Sequence, residues 1–408
     1  MNPTQSQTNT DSPEIPSLPI KVALIGVSGY GDCHFRSILT LAEEGLVQFC
    51  AATVINPEEV PQKCEKMRAM GCRIYSNHQH MLKEEAGQID LCCIPTGIGW
   101  HRVMTIDALN AGMHVLVEKP AAATLAEINA MDAAKRHNRR EVFVGFQNMY
   151  ADTLWKIKDL LVAGELGQLQ KIRVCALWPR PHSYYKRTDW AGKLSINDIP
   201  VLDSPTNNAM AHFILMALFW SGSSREAAGT IRTLENRQYR AQAIESFDTF
   251  SARVQLVEGP EIVINMSHSS EKFEAAEIIL ETTRGQYYWN DKTGSELTLA
   301  GLSPENKTFP PFPDTRTVMF HNVCKGLQKL ESNVCSLDLA REHTRFIERI
   351  HQSLKIEDIP ASALKNREEA GETYTYADGL SEALLNAHHK GLTLHNSDLP
   401  WTKTEATT

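Results

Sequence analysis

The sequence predicts an α/β protein in two parts: a doubly wound parallel sheet, then an α+β domain on a mostly antiparallel open sheet. Three observations carry this. From Ile20 to about Phe146, short apolar runs alternate with amphipathic stretches. Beyond about Asn148, strand-like segments follow one another without helices between them. The chain's 408 residues, 42% of them hydrophobic, suit two cores better than one. The expected division is a disordered lead-in over 1–19, a first domain over 20–148, a second over 149–400 and a loose end over 401–408.

In the first domain, buried strands are expected over 22–25, 47–54, 89–94, 114–117 and 142–146. Helices are expected over 32–44, 58–70, 102–111 and 125–137. Continuous apolar runs between helices imply parallel β-α-β units covered on both faces. In the second domain, a helix over 153–163 leads to a strand over 170–178 and an aromatic, basic loop over 179–193. A strongly apolar helix is expected from Pro205. Strands are then expected over 230–234, 249–256, 261–266, 276–281 and 285–289. A Pro-rich loop over 302–314 and helices over 315–330 and 337–353 complete the pattern.

Composition excludes several classes. A net charge of −8 offers no basic field for nucleic acid or anionic lipid. No apolar run approaches the roughly 20 residues of a membrane span. The first 19 residues lack Lys, Arg and an apolar core, so they do not read as a secretory signal. Nine cysteines are scattered without a C-x-x-C pair or a ligand-like cluster, which predicts reduced thiols, a cytoplasmic location and no metal.

Directly after the first strand comes Gly26-Val-Ser28-Gly29-Tyr30-Gly31. A glycine turn that opens a helix brings backbone N–H groups to a pyrophosphate, and the helix N-terminus favours its charge. Glycine turns also merely close strands onto helices; the position at the first strand-to-helix turn is what selects the nucleotide reading. Gly26 and Gly31 take the outer places of G-x-G-x-x-G, Ser28 the middle one, and Gly29 is additional. The second strand normally ends in an acid for the ribose hydroxyls of NAD. Here Val54 stands there, no Arg follows for a 2′-phosphate, and Asn56 is the nearest polar substitute. NAD or NADP is left open.

The run His114-Val-Leu-Val-Glu118-Lys119-Pro120 is a buried strand that ends in a charged pair and a proline. Ligands of open α/β sheets bind at the carboxyl ends of strands. Desolvation there lowers an ammonium pKa, and a lysine can orient or protonate an oxygen. A solvated ion pair is the commoner fate of Glu-Lys, but the strand end and the proline favour function.

Gly26–Gly31 with His34, Ile94-Pro95-Thr96 with His101, Glu118-Lys119-Pro120 and Val144-Gly145-Phe146 resemble one family. It is the glucose-fructose oxidoreductase, inositol dehydrogenase and rhizopine-catabolism family of NAD(P)-dependent oxidoreductases. The resemblance covers nearly the whole chain from about Ile20 and is most specific in the first, Rossmann, domain. It implies that Lys119 contacts substrate beside the nicotinamide. The expected cofactor contacts are Gly26, Ser28, Gly29, Tyr30 and Gly31 of the turn, Asn56 as the substitute for the acid, Pro95, Thr96, His101, Glu118 and Lys119 of the resembling motifs, and Gln147 just past the last strand.

The family's second signature, D-x-x-x-H, is matched by Asn208-Ala-Met-Ala-His212. Ser204-Pro205 reads as an N-cap followed by proline at the first helical position. Asn208 and His212 then share one face of a buried helix. A histidine there is often a satisfied core residue; beside Lys119 its implied role is proton acceptor. Asn208 replaces the family's aspartate, and an amide orients an imidazole without stabilising its charge. Asp203 is a possible substitute, and the family's upstream glycine pair is missing. Arg180, Tyr185, Arg187 and Trp190 on the preceding loop suit a sugar-like substrate, as Tyr150 does beyond the last strand of the first domain; an oligomer contact or a solvated loop is the bland alternative.

The reading is an NAD(P)-dependent oxidoreductase acting on a sugar, polyol or sugar-derived substrate, with Lys119, Asn208 and His212 as its catalytic set. Two alternatives stand beside it: an NAD-retaining glycoside hydrolase and a non-catalytic nucleotide-binding regulator. The one macromolecular partner expected is a second copy, packed on the exposed face of the second-domain sheet.

Overall fold

A computed structural model describes residues 18–299, 307–352 and 356–403. The expectations for 1–17, 302–306, Ser353 and 404–408 lie outside the described residues. The first domain is a six-stranded parallel sheet of β1 (Ile20–Ile25), β2 (Val47–Thr53), β3 (Arg73–Tyr75), β4 (Leu91–Ile94), β5 (His114–Val117) and β6 (Val142–Val144). Its order is β3-β2-β1-β4-β5-β6. Strand order reverses between β1 and β4, so the crevice for a ligand opens at their carboxyl ends. The helices between are α1 (Gly31–Glu43), α2 (Pro61–Ala69), α3 (His78–Glu84), α4 (Ile98–Asn110) and α5 (Leu125–Asn138).

β3 and α3 were not expected. β3 is a three-residue edge strand without a buried side chain. α3 runs only seven residues, too short for a helical period to show, and is started by Asn77, whose side chain accepts from Gln79 and His80 N–H.

The second sheet has nine strands. In spatial order they are Lys307–Phe309, Gly294–Leu299, Gly285–Asn290, Glu274–Thr282, Leu169–Leu177, Glu261–Ser267, Thr249–Leu256, Ile231–Arg240 and Glu357–Asp358. Two pairings are parallel, Leu169–Leu177 with Glu261–Ser267 and Ile231–Arg240 with Glu357–Asp358; the rest are antiparallel. Lys307–Phe309 is thus a strand inside the segment expected to be loop. α6 (Asp152–Val162) and α7 (Ala211–Ser221) pack against one another beneath the sheet.

α7 starts at Ala211, six residues later than expected. Ser204 does cap, accepting from Asn207 N–H at 3.2 Å, but the turn it caps is irregular. Met210 N–H reaches five residues back to Pro205 at 2.9 Å. At the other end, the buried Lys158 ammonium donates to the carbonyls of Phe219, Gly222 and Ala227. Those bonds satisfy carbonyls a buried helix end would otherwise leave unpaired, while burial pushes the ammonium down to about 8.

Two later helices return to the first domain. α8 (Thr315–Leu327) sets Phe320 edge-on to His34 at 5.1 Å. Ahead of α9 (Leu337–Gln352), Cys335 accepts from Val144 N–H at 2.9 Å, beside a bridge between Phe143 and Ser336.

The outer face of the second sheet differs from expectation. α10 (Leu380–Lys390) lies across its central strands. Leu380 and Leu384 of α10, with Leu394, bury Cys175, Leu177 and Tyr239 in a second apolar cluster. Arg173 donates to the carbonyl of His389 at 2.8 Å, Asn265 to that of Leu392 at 3.0 Å, and His388 meets Glu277 at 2.8 Å. The face assigned to a second copy therefore carries the chain's own C-terminal segment.

Candidate functional site

The glycine turn uses its three glycines for different reasons. Gly26 and Gly29 adopt φ of +90° and +57°, which a side chain disfavours. Gly31 has ordinary φ, but a Cβ there would lie 2.4 Å from the carbonyl oxygen of Gly26. Gly29, the additional glycine of the motif, is the one on the cavity wall, with open space above it. α1 opens without a side-chain cap, so its positive end is not blunted by one. Ser28 closes the turn, its carbonyl accepting from Gly31 N–H at 3.0 Å.

A cavity of about 510 Å³ opens at the carboxyl ends of the parallel strands. On the first-domain side lie Gly29, Tyr30, Pro95, Thr96, His101 and the Glu118-Lys119-Pro120 triplet. On the other lie Tyr184, Arg187, Trp190, Asp203 and Asn208. Such a two-sided wall fits a nicotinamide nucleotide on one side and a small polar substrate on the other. Trp190 closes the gap: a Cβ on Gly97 would sit 3.9 Å from its indole nitrogen.

Glu118 is buried and held from two sides. His34 Nε2 meets one carboxylate oxygen at 2.9 Å, and Lys119 N–H donates to the other at 3.0 Å. Gly145 makes room for it, since a Cβ there would lie 2.5 Å from the carboxylate. His101 sits between two carbonyls, Pro120 at 2.8 Å and Thr96 at 2.9 Å, and so ties β4 to the triplet. Burial holds its pKa below the ordinary value, more than those carbonyls raise it.

Lys119 crosses from the first domain to the second. Its ammonium donates to the Asn208 carbonyl at 2.8 Å and to the Asn208 side-chain oxygen at 3.2 Å. Burial lowers its pKa, against the raising influence of Glu118 and Asp203. Asn208 Nδ2 donates to Asp203 at 3.0 Å, and the other Asp203 oxygen accepts from Gly192 N–H at 2.6 Å. A carboxylate thus stands one hydrogen bond behind the amide that replaced the family's acid.

His212 is the second residue of α7, partly buried, with its ring edge-on to Phe146 at 5.7 Å. It is not on the cavity wall, and its Nδ1 is buried without a hydrogen-bond partner among the described residues. Burial, then Lys119 and His343, push its pKa well below the usual value. His343 of α9 flanks the same Phe146 at 5.1 Å and meets the Thr206 carbonyl at 3.0 Å.

Other expected residues fall elsewhere. Tyr150 is fully buried with its hydroxyl donated to the Val144 carbonyl at 3.0 Å, so it supports the fold and not a substrate. Tyr185 lines a separate cavity of about 550 Å³ behind the loop. Arg180 stacks on Trp178 and Tyr184, off the wall. Asn56 is off it too, its amide donating to Glu59 at 2.9 Å, while Gln147 accepts from the Tyr30 hydroxyl at 2.9 Å. Four groups that matter were missed as site residues: His34, Tyr184, Asp203 and His343. His34 stood among the resembling motifs, Tyr184 in the aromatic loop and Asp203 just ahead of the helix; His343 carried no signal. Among the described residues no cluster could hold a metal ion, and no helix is long and apolar enough to cross a membrane.

Residues 20–146 match a family model described as an oxidoreductase family with an NAD-binding Rossmann fold. One relative is 1-carboxy-3-chloro-3,4-dihydroxycyclohexa-1,5-diene dehydrogenase of Comamonas testosteroni, 28% identical over 36% of this chain and 36% of its own. Another is inositol 2-dehydrogenase of Salmonella typhimurium, 23% identical over 37% of this chain and 44% of its own. The chain therefore spans less than half the length of these curated relatives. In the solved structures, the WlbA dehydrogenase from Bordetella pertussis, in complex with NADH and UDP-GlcNAcA, superposes with a TM-score of 0.66. That match is 21% identical and covers 82% of this chain and 96% of that one, so the shared fold extends across both domains. The family match lies within the first domain, and its description agrees with the NAD-binding oxidoreductase family that the motifs there resemble.

Proposed function

We propose that the protein is an NAD(P)-dependent oxidoreductase acting on a CH–OH group of a sugar, polyol or sugar-derived molecule. The observation that carries this is the placement of Lys119. Its ammonium reaches Asn208 across a cavity whose one wall is the glycine turn and whose other is the Tyr184, Arg187 and Trp190 loop. The nicotinamide nucleotide, when bound, supplies the hydride acceptor or donor. Gly26, Gly29 and Gly31 would hold the turn open for a pyrophosphate, and Pro95, Thr96 and His101 line the same side of the cavity. Lys119, oriented by Asn208 and Asp203, bonds the reacting oxygen. His212, off the cavity wall and with burial favouring its neutral form, is the imidazole we assign to receive the hydroxyl proton. The similarity of the first domain to an inositol 2-dehydrogenase supports a polyol-like substrate class. All nine cysteines are free and eight of them are buried, which supports a reducing compartment such as the cytoplasm.

The test is a titration of nucleotide-free protein with NADH and, separately, NADPH, read by energy transfer from tryptophan. Saturable binding of one is expected and names the cofactor; a screen of sugars and polyols follows with the oxidised form. Binding of neither up to millimolar concentration would sink the reading and leave the glycine turn a structural feature.

A further inference from the structure

Glu118, Lys119 and Asp203 on the cavity wall are each held by hydrogen bonds from elsewhere in the fold, whereas Arg187 is exposed and is held only by its own loop. Glu118 is held by His34 and by Lys119 N–H. Both Asp203 oxygens accept hydrogen bonds, from Gly192 and Asn208, and Lys119 donates twice to Asn208. Arg187 makes no ion pair among the described residues. Its one hydrogen bond there runs from Nη1 to the carbonyl of Tyr184 on its own loop. Two rings hold it instead: its guanidinium carbon lies 3.6 Å from the centroid of Tyr184 and 5.1 Å from that of Trp190.

A guanidinium laid against aromatic faces has given up most of its rotational freedom, yet keeps several N–H donors in one fixed plane. That geometry meets a carboxylate or a phosphate with two parallel charge-assisted hydrogen bonds. A neutral hydroxyl engages one donor and gains little from the fixed plane. The positive field here is larger than one residue, because Arg180 lies 4.7 Å over the same Tyr184 ring and makes no ion pair among the described residues. Lys119 shares the wall with Arg187, so one small molecule can reach both.

We propose that Arg187, seated on Tyr184 and Trp190, binds an anionic group of the substrate, so that the protein acts on an acidic sugar and not a neutral one. The proposal rests on the oxidoreductase reading for what happens at Lys119, but its binding half stands apart and is tested apart. Isothermal titration calorimetry on the full chain, with and without saturating NADH, would compare D-glucuronate, D-galacturonate and D-glucose 6-phosphate with D-glucose. At least one anion is expected to bind about tenfold or more tightly than glucose. Which one does separates a carboxylate from a phosphate. In Arg187→Gln that advantage is expected to disappear, in Arg187→Lys to shrink, and in Lys186→Gln, whose side chain lines the other cavity, to persist.

Glucose binding as tightly as every anion, saturable binding of no anion, or an advantage that survives in Arg187→Gln would each overturn the proposal. Anion binding without nucleotide reduction would leave it standing and remove the hydride-transfer reading. Turnover of neutral sugars with no anion preference would do the reverse.

Discussion

Lys119→Ala is expected to lower kcat by about 100-fold or more while nucleotide affinity stays within a few-fold of the parent. The two effects separate because the side chain and the backbone of this residue do different work. The ammonium alone reaches Asn208 and the reacting oxygen, whereas the main-chain N–H holds Glu118 and survives the substitution. The glycine turn lies on another strand and keeps its geometry. Since burial holds the ammonium below the ordinary lysine value, the limb of the rate profile that reports it should lie on the acid side of that of an exposed lysine. That limb should vanish in the variant. Steady-state kinetics across pH, with nucleotide affinity from fluorescence, checks all three statements. Near-normal turnover would move the proton chemistry away from Lys119.

Gly31→Ala is expected to abolish saturable nucleotide binding over the range in which the parent saturates, a loss of about 100-fold or more. The added Cβ would lie 2.4 Å from the oxygen and 2.9 Å from the carbon of the Gly26 carbonyl. Both are backbone atoms, so the turn itself must move; overpacking of this kind costs about 1–3 kcal/mol in stability before any ligand is considered. Gly29→Ala is the comparison, adding a methyl group that faces the cavity and not the turn's own backbone. It meets nothing within 4 Å and carries only the strain of φ +57°, about 1–2 kcal/mol. The nucleotide titration with a thermal melt on each variant distinguishes lost recognition from lost folding. Parent-like affinity in Gly31→Ala would show that the turn does not set the pyrophosphate position.

Most of the first domain was legible because each buried strand is a continuous apolar run between helical stretches. β3 and α3 were not, since three half-exposed residues and a seven-residue helix carry no period. The C-terminal segment was invisible for a different reason. The hairpin of Leu364–Glu369 and Glu372–Ala377 has no buried face along most of its length, and nothing local to α10 announces the sheet it covers. In the site, contiguous motifs were readable and assembled contacts were not. Glu118-Lys119-Pro120 could be placed at a strand end from sequence alone. The partner of Glu118 is 84 residues away and that of Thr206 is 137 away, and only the fold brings them together. Tyr150 and Tyr185 show the same limit from the other side. A tyrosine near a pocket reads as a ligand contact until the direction of its hydroxyl is known.

The shielding of the second sheet by α10 sets an order of events during synthesis. Every strand of that sheet leaves the ribosome before Leu380 does. At about 5–20 residues per second, the helix follows the last strand by a few seconds. Through that interval Cys175, Leu177 and Tyr239 face water on a sheet whose hydrogen bonds can already form. A nascent chain stalled short of α10 would present an apolar surface with nothing to cover it, which is the kind of surface that chaperones hold and that neighbouring chains aggregate through.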